Sequence, residues 1–140
     1  FGHYHGPKEM PEIYQVLSGE AIYFQQKLDD NGEIVDAIMV RAKAGDIVIM
    51  LPGYGHVSIN TSSEKPLVMA NWLTWHQKSY YGSFKDNHGA VYFATRGADG
   101  NVTIDKIKNK NTNYKNIPPL REMRPAESIA AFGLKRGEPI

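Results

Sequence analysis

The sequence predicts an all-β fold, either a sandwich or a barrel of short strands. Apolar residues alternate with polar ones, or follow one another without a break, in short stretches such as residues 12–17, 20–26 and 47–51. Turn-forming residues separate these stretches at nearly regular intervals, as at residues 29–32 and 61–66. Many short strands at such spacing are typical of sandwiches and barrels.

The individual strands follow from the same pattern. A turn at residues 18–19 connects the first two strands, and the Asn-Gly pair at residues 31–32 favours a tight hairpin leading into residues 33–40. The unbroken apolar run at residues 47–51 suits a strand that is buried on both faces. Further strands are predicted at residues 56–59, 67–73, 90–95 and 102–107.

Composition limits the classes of function. The chain has 140 residues, of which 41% are hydrophobic, so it is long enough for one domain with a substantial core. Its net charge of +1 indicates neither a nucleic acid nor a membrane surface as a partner. The absence of cysteine excludes disulfides, zinc–thiolate sites and a thiol nucleophile. No apolar run approaches the roughly 20 residues of a spanning helix. No signal peptide is visible, so a cytoplasmic location is expected.

Three histidines and one glutamate form a candidate metal site. His3 and His5 are two residues apart, so on a strand both imidazoles leave the same face. Glu12 follows a Gly- and Pro-containing segment that reads as a loop, and His56 follows the apolar run at residues 47–51. Three imidazoles and a carboxylate suit a divalent transition metal. Since an isolated His-x-His is common on exposed strands, this prediction depends on the wider spacing pattern.

That wider pattern resembles the two motifs of the cupin family. The first motif carries His-x-His, Glu and Gly, and the second carries Gly, Pro, His and Asn. The corresponding residues here are His3, His5, Glu12 and Gly19, followed by Gly45, Pro52, His56 and Asn60. Six residues separate His5 from Glu12, which is more than in the commonest cupin form.

The longer gap is itself similar to that of one group, the cupin-type glucose-6-phosphate isomerases of archaea and some bacteria. That group has His-x-His, six residues, Glu-x-Tyr and then a Val-Leu-x-Gly turn, as residues 3–19 do here. The resemblance covers most of the chain and continues at residues 52–56, 60–61, 81–82 and 113–121.

The resemblance implies a cupin barrel, that is, a double-stranded β-helix or jelly roll, with a short helical or irregular C-terminal tail. Residues 1–140 are expected to be a single cupin domain whose N-terminal strands are missing before Phe1. The tail, residues 108–140, is expected to pack on the barrel or on a partner subunit. Its one predicted helix, residues 126–132, follows Pro125. The family resemblance, the apolar strand content and the Pro-rich tail together imply a homodimer that uses barrel edges for contact.

The resemblance also implies an enzyme of glycolysis and gluconeogenesis that interconverts glucose 6-phosphate and fructose 6-phosphate. One Fe, Mn, Ni or Zn ion would be held by His3, His5, Glu12 and His56. The ion would polarise the sugar carbonyl and stabilise an enediolate, with Glu12 as the candidate base. A hydride shift between the two carbons is the competing mechanism, and the sequence does not choose between them.

Several residues are expected to contact the phosphorylated sugar. Tyr14 lies two residues after Glu12, so on a strand it shares the face of that carboxylate. The resemblance implies a phosphate contact for Tyr14 and for the Gly2 backbone, although a core tyrosine is an equal alternative at position 14. Tyr54 and Tyr81 are also expected to line the pocket.

Other functions fit less well. A cupin dioxygenase would use the same ions but needs three protein ligands, leaving Glu12 and Tyr14 unexplained. A sugar-binding cupin without catalytic activity would normally accompany a DNA-binding domain, which these residues do not predict. The basic run at residues 106–111 is expected to be a solvated surface rather than a phosphate site. His76 and His88 are expected at the surface.

Overall fold

The structure is a computed structural model, and it describes residues 2–6 and 10–133 of the chain. The predicted all-β fold with a short C-terminal helix is confirmed. Its strands are β1 (Tyr4–Gly6), β2 (Glu12–Ser18), β3 (Glu20–Leu28), β4 (Ile34–Lys43), β5 (Ile47–Met50), β6 (Tyr54–Asn60), β7 (Val68–Trp72), β8 (Lys78–Tyr80), β9 (Thr95–Arg96), β10 (Val102–Thr103) and β11 (Leu120–Met123). Its helices are α1 (Gly82–Asp86) and α2 (Pro125–Ala131).

The large sheet has the strand order β11-β4-β3-β6. Strand β3 is antiparallel to both of its neighbours, whereas β11 is parallel to β4. A two-stranded unit of β1 and β8 joins the β6 edge, since His3 and His56 form an antiparallel bridge. This bridge brings the first histidines of the chain beside the last one of the candidate site.

The small sheet has the strand order β5-β2-β7 and is antiparallel throughout. Its β2 strand follows the predicted alternation, with Glu12 and Val16 buried and Leu17 exposed. The predicted turn before β3 is present at Gly19, which has a positive φ of 85°. A Cβ atom at Gly19 would lie 2.8 Å from the Pro66 carbonyl oxygen, so this position needs glycine.

Strand β3 is buried on both faces because it separates two cores. Tyr23 faces the small sheet, and Phe24 faces the opposite layer, which is formed by residues 84–117. The inner core, between the sheets, contains Val16, Ala21, Tyr23, Ile38, Val40, Ala42, Val48 and Met50. The outer core contains Ile22, Phe24, Ile34, Ala37, Met39, Phe84, Ala90, Val91, Tyr92, Val102, Ile104, Tyr114 and Leu120.

The strands predicted at residues 90–95 and 102–107 are wrong in extent, because this region forms only the two-residue strands β9 and β10. Here Tyr92 and Lys110 form one isolated antiparallel bridge, and asparagine side chains bind further backbone groups: Asn111 Nδ2 donates to the Ala90 carbonyl, and Asn109 Oδ1 accepts from the Asp105 N–H, each at 2.9 Å. The apolar alternation thus reflects burial in the outer core, with strand pairing limited to short stretches.

Strand β5 is buried less completely than predicted. Ile49 is covered where α2 packs on β5, and Ser128 Oγ accepts a hydrogen bond of 3.2 Å from the Ile49 N–H. Ile47, on the same face, is 39% exposed. The prediction of a strand buried on both faces therefore holds for most of β5 and fails at its first residue.

The described part of the C-terminal tail lies against this barrel through β11 and α2, and α2 matches the predicted helix to within a residue. The strands β8 and β11 and the helix α1 were not predicted. Residues 134–140 of the tail and residues 7–9 of the predicted loop lie outside the described residues. Within the described part of the chain, no helix has the length and apolar character needed to cross a membrane.

Candidate metal centre

The four predicted ligands converge at one end of the barrel. The ligand atoms of His3, His5, Glu12 and His56 all lie within 4.8 Å of one another. Two backbone hydrogen bonds join His3 to His56, from His3 N–H to the His56 carbonyl at 3.1 Å and in the reverse sense at 2.9 Å. The positions of these two imidazoles are therefore fixed by backbone pairing of their strands.

Close packing of β1 against β6 depends on a glycine. A Cβ atom at Gly55 would lie 2.5 Å from the ring of Tyr4, between the two histidines of the first motif. The hydroxyl of Tyr4 accepts a hydrogen bond of 2.9 Å from Gln26 Nε2 on β3. Tyr4 thus anchors the strand that carries His3 and His5 against the large sheet.

The three imidazoles lie close together, and two of them face the carboxylate. The ring centroids of His3, His5 and His56 are 4.7 to 4.9 Å apart. The Oε2 atom of Glu12 is 3.0 Å from His56 Nε2 and 3.4 Å from His5 Nε2. Glu12 and His56 are 2% and 1% exposed, so both are excluded from solvent.

The buried polar atoms of this cluster fit a metal ion. Among the described residues, neither Glu12 Oε2 nor His56 Nε2 has a partner in hydrogen-bond geometry, although both are buried and lie 3.0 Å apart. A buried polar atom without a partner is costly, and native proteins rarely retain one without a reason. A cation bound between these atoms would satisfy both. Three nitrogens and one oxygen are also a suitable donor set for a divalent transition metal.

The protonation states are also those that a metal requires. Burial lowers the pKa of His5, and the neighbouring His56 lowers it further, to about 4. Burial alone would raise the pKa of Glu12, but its interactions with His56 and Asn71 outweigh this effect and lower the pKa to about 2. At neutral pH His5 is therefore neutral and Glu12 is ionised, as metal ligands must be.

The sequence matches the family described as "Glucose-6-phosphate isomerase (GPI)" over residues 1–113. The chain belongs to the glucose-6-phosphate isomerase family. The match includes all four predicted ligands and ends before β11 and α2. No curated protein matches the chain.

Two of the tyrosines that the family resemblance singled out lie beside the cluster. The ring centroid of Tyr14 is 6.0 Å from that of His56, and the ring centroid of Tyr81 is 5.5 Å from that of His3. Burial raises the pKa of Tyr14, and the nearby Glu12 charge raises it further, so its hydroxyl is protonated at neutral pH.

Tyr54 and Gly2, which were predicted to contact the substrate, pack against other residues of the protein. Tyr54 donates a hydrogen bond of 2.7 Å to Asp36 Oδ2, and the same carboxylate pairs with Arg121. Gly2 is buried, and a Cβ atom there would lie 2.4 Å from the ring of Phe84. Packing therefore accounts for the glycine, and substrate contacts for Gly2 and Tyr54 stay predictions.

Two polar residues of the site were not predicted. Asn71 Nδ2 donates a hydrogen bond to Glu12 Oε1. Gln25, opposite His56 in the β3–β6 register, donates to the Ile49 carbonyl at 3.3 Å and accepts from the Leu51 N–H at 2.8 Å. Asn71 is the single polar residue of β7, and this break in an apolar strand was the available signal.

His76 and His88 are exposed, as expected.

The pKa of His5 leads to a prediction about stability. Between pH 6.5 and about 4, the unfolded chain binds a proton at this imidazole and the folded chain does not, so acidification favours unfolding. Below pH 4.5, Glu12 adds a loss of the same sign, since its folded-state pKa is about 2. The melting temperature of chelator-treated protein should therefore fall from pH 6.5 downwards, as measured by circular dichroism.

A His5→Gln variant is the matched comparison, because it cannot gain this proton. Its melting temperature should fall less between pH 6.5 and 4 than that of the unsubstituted protein. Equal pH dependence in the two proteins would show that His5 is not held neutral by the fold.

Proposed function

We propose that this protein is a metal-dependent aldose–ketose isomerase that interconverts glucose 6-phosphate and fructose 6-phosphate. The observation that carries the proposal is the convergence of four ligand atoms within 4.8 Å, at positions that match the family motif. The buried oxygen of Glu12 and nitrogen of His56 without hydrogen-bond partners among the described residues support a bound cation.

The four residues His3, His5, Glu12 and His56 would hold one divalent ion, with Fe, Mn, Ni and Zn as candidates. When bound, the ion supplies Lewis-acid stabilisation of the negative charge that develops on the sugar oxygens. The reaction moves one hydrogen between C1 and C2 of the open-chain sugar. The protein must therefore bind the open chain, exclude water and control that hydrogen.

Glu12 is the proposed base, since it is the one carboxylate of the cluster. It is ionised at neutral pH and can accept a proton from carbon next to the carbonyl. Its low pKa makes it a weak base, however, and leaves a direct hydride shift as the competing route. Isotope exchange distinguishes the two routes, because a proton held on a carboxylate can exchange with solvent whereas a hydride does not.

We propose that the tyrosines beside the cluster bind the substrate. Tyr14 is half-buried next to Glu12, and its protonated hydroxyl, which contacts Glu12 and Asn71 without substrate, would turn to donate to a phosphate or sugar oxygen. Tyr81 is 38% exposed beside His3, where an entering sugar would meet it. The family resemblance adds the Gly2 backbone as a phosphate contact.

The test of this function is a direct assay. Protein loaded with manganese, iron or nickel and supplied with fructose 6-phosphate should form glucose 6-phosphate, detected by a coupled dehydrogenase. Unphosphorylated fructose is the control substrate and should react much more slowly. Failure to form any glucose 6-phosphate with each of these metals would contradict the proposed activity.

We also propose that the protein is a homodimer. Leu17, Ile47 and Trp72 are large apolar residues of the small sheet, on the face turned away from the inner core, and they are 53%, 39% and 53% exposed. Large apolar side chains exposed on one face of a sheet, beside the part of that face that α2 covers, are a candidate interaction site. A second copy of the chain placed on this face would bury it.

The assembly can be checked by sedimentation. The protein should sediment with twice the 15.7 kDa mass of one chain, and Trp72→Lys should shift it to a single chain. Trp75→Lys is the control, because that ring is 95% exposed and lies outside β7. A particle of 15.7 kDa at every concentration tested is the contrary result.

A further inference from the structure

The two oxygens of the Glu12 carboxylate have different surroundings. Oε2 faces the imidazoles, 3.0 Å from His56 Nε2 and 3.4 Å from His5 Nε2. Oε1 accepts a hydrogen bond from Asn71 Nδ2. The carboxylate is thus held at one oxygen by a neutral amide and presents the other oxygen to His5 and His56.

The position of Asn71 follows from strand pairing. In the antiparallel β2–β7 pair, Asn71 lies directly opposite Tyr14, and Tyr14 is two residues after Glu12 on the same face. Asn71 is therefore the diagonal neighbour of Glu12, within reach of a long side chain. Its own neighbour Trp72 pairs with Ile13 on the opposite face of the sheet.

An amide is well suited to hold this oxygen. Asn71 donates hydrogen bonds but has no ionisable group, so it restrains the carboxylate without adding charge to the ligand cluster. An aspartate at the same position would repel Glu12, and an apolar residue would leave Oε1 without this donor. The remaining residues of β7, which are Val68, Met69, Ala70 and Trp72, are all apolar and could not replace it.

We propose that Asn71 is a positioning residue that makes Glu12 a ligand through Oε2 alone. This inference rests on the proposed function, since it assumes that the cluster binds a divalent ion. By keeping Oε1 away from the ion, Asn71 preserves room for the sugar oxygens and fixes the direction of Oε2. Removal of this donor leaves Tyr14 as the remaining outer polar neighbour of the carboxylate, and the loss of an outer partner typically weakens metal binding about 10- to 100-fold.

Manganese binding in the absence of substrate tests the proposal. Titrations followed by electron paramagnetic resonance give the Kd for Mn²⁺ of the unsubstituted protein and of Asn71→Leu and Asn71→Ala. The second variant covers the case in which the larger leucine prevents folding. Asn60→Leu is the matched control, because the Asn60 amide donates to the Lys65 carbonyl in a turn at the far end of β6.

Both substitutions at Asn71 should raise the Kd about 10- to 100-fold, and the spectrum of bound Mn²⁺ should change. Asn60→Leu should alter neither. A purely structural role would lower the melting temperature of the chelator-treated Asn71 variants and leave the Kd unchanged, and this result overturns the proposal while leaving the proposed function intact. If the unsubstituted protein binds no Mn²⁺, Ni²⁺ or Fe²⁺, both the proposal and the proposed function are overturned.

Discussion

Substitution of Glu12 by glutamine is expected to slow isomerisation by at least about 100-fold while the protein stays folded and retains most of its metal. Glutamine keeps an oxygen that can bind the ion and nearly the same shape, but its amide cannot accept the proton from carbon. The three histidines remain to hold the ion. The loss of a general base typically costs about 100- to 10,000-fold in rate.

The measurement combines kcat with metal content and the melting temperature. Glu20→Gln is a suitable control, because Glu20 is an exposed glutamate on β3, away from the cluster. Near-normal kcat in a fully metal-loaded Glu12→Gln variant would remove Glu12 as the base and leave it at most a dispensable ligand.

Deuterated water separates the two routes for hydrogen transfer. If Glu12 carries a proton that exchanges with solvent, glucose 6-phosphate formed from fructose 6-phosphate should contain deuterium at C2. A product without deuterium at C2 indicates either the hydride shift or a proton that the buried Glu12 shields from solvent throughout, and the Glu12→Gln variant separates these two cases. If the hydride shift is the route, the kcat of Glu12→Gln should fall by less than the about 100-fold expected for loss of a general base.

Substitution of His56 by glutamine is expected to have the largest effect on metal binding. His56 is 1% exposed, its ring centroid lies 4.8 to 4.9 Å from those of His3 and His5, and its Nε2 faces Glu12. The loss of this direct ligand should weaken metal binding by more than the about 10- to 100-fold typical of an outer partner. Activity should fall with the metal content.

Elemental analysis and isothermal titration can measure this effect. His76→Gln is the control, since His76 is exposed and lies outside the cluster. Metal content equal to that of the unsubstituted protein in His56→Gln would exclude His56 as a ligand and with it the proposed centre.

The ligand set could be predicted because its signals are local or are matched by a family motif. His3 and His5 share a face through strand periodicity alone, and the gap from His5 to Glu12 resembles that of one family. The turn at Gly19 and the hairpin before β4 were predictable for the same reason, since both depend on residues next to each other in sequence.

Asn71 and β11 could not be predicted in this way. Asn71 meets Glu12 through the register of β2 with β7, and no residue near Glu12 in sequence encodes that register. Strand β11 pairs with β4 in parallel, with Leu120 opposite Ala37, so its partner lies far away in the chain. Parallel strands require a long crossover connection, and short-range patterns therefore do not predict their partners.

The region at residues 90–107 shows how a correct pattern can lead to a wrong element. Val91 and Val102 are buried as strand residues would be, but they pack on the outer face of the large sheet. Backbone pairing at Val91 is limited to one isolated bridge, of Tyr92 with Lys110, and side chains such as that of Asn111 bind further backbone groups. The apolar spacing in this region reflects burial in the outer core, and strand pairing is limited to one isolated bridge and two two-residue strands.

The central claim, a metal-dependent isomerase, is tested most directly by removing and restoring the metal in one preparation. Protein treated with a chelator and then dialysed should lose both its bound metal and its conversion of fructose 6-phosphate to glucose 6-phosphate. Addition of one equivalent of manganese, iron or nickel should restore the activity in proportion to the metal bound by His3, His5, Glu12 and His56. Full activity in protein shown by elemental analysis to contain no metal would contradict the claim.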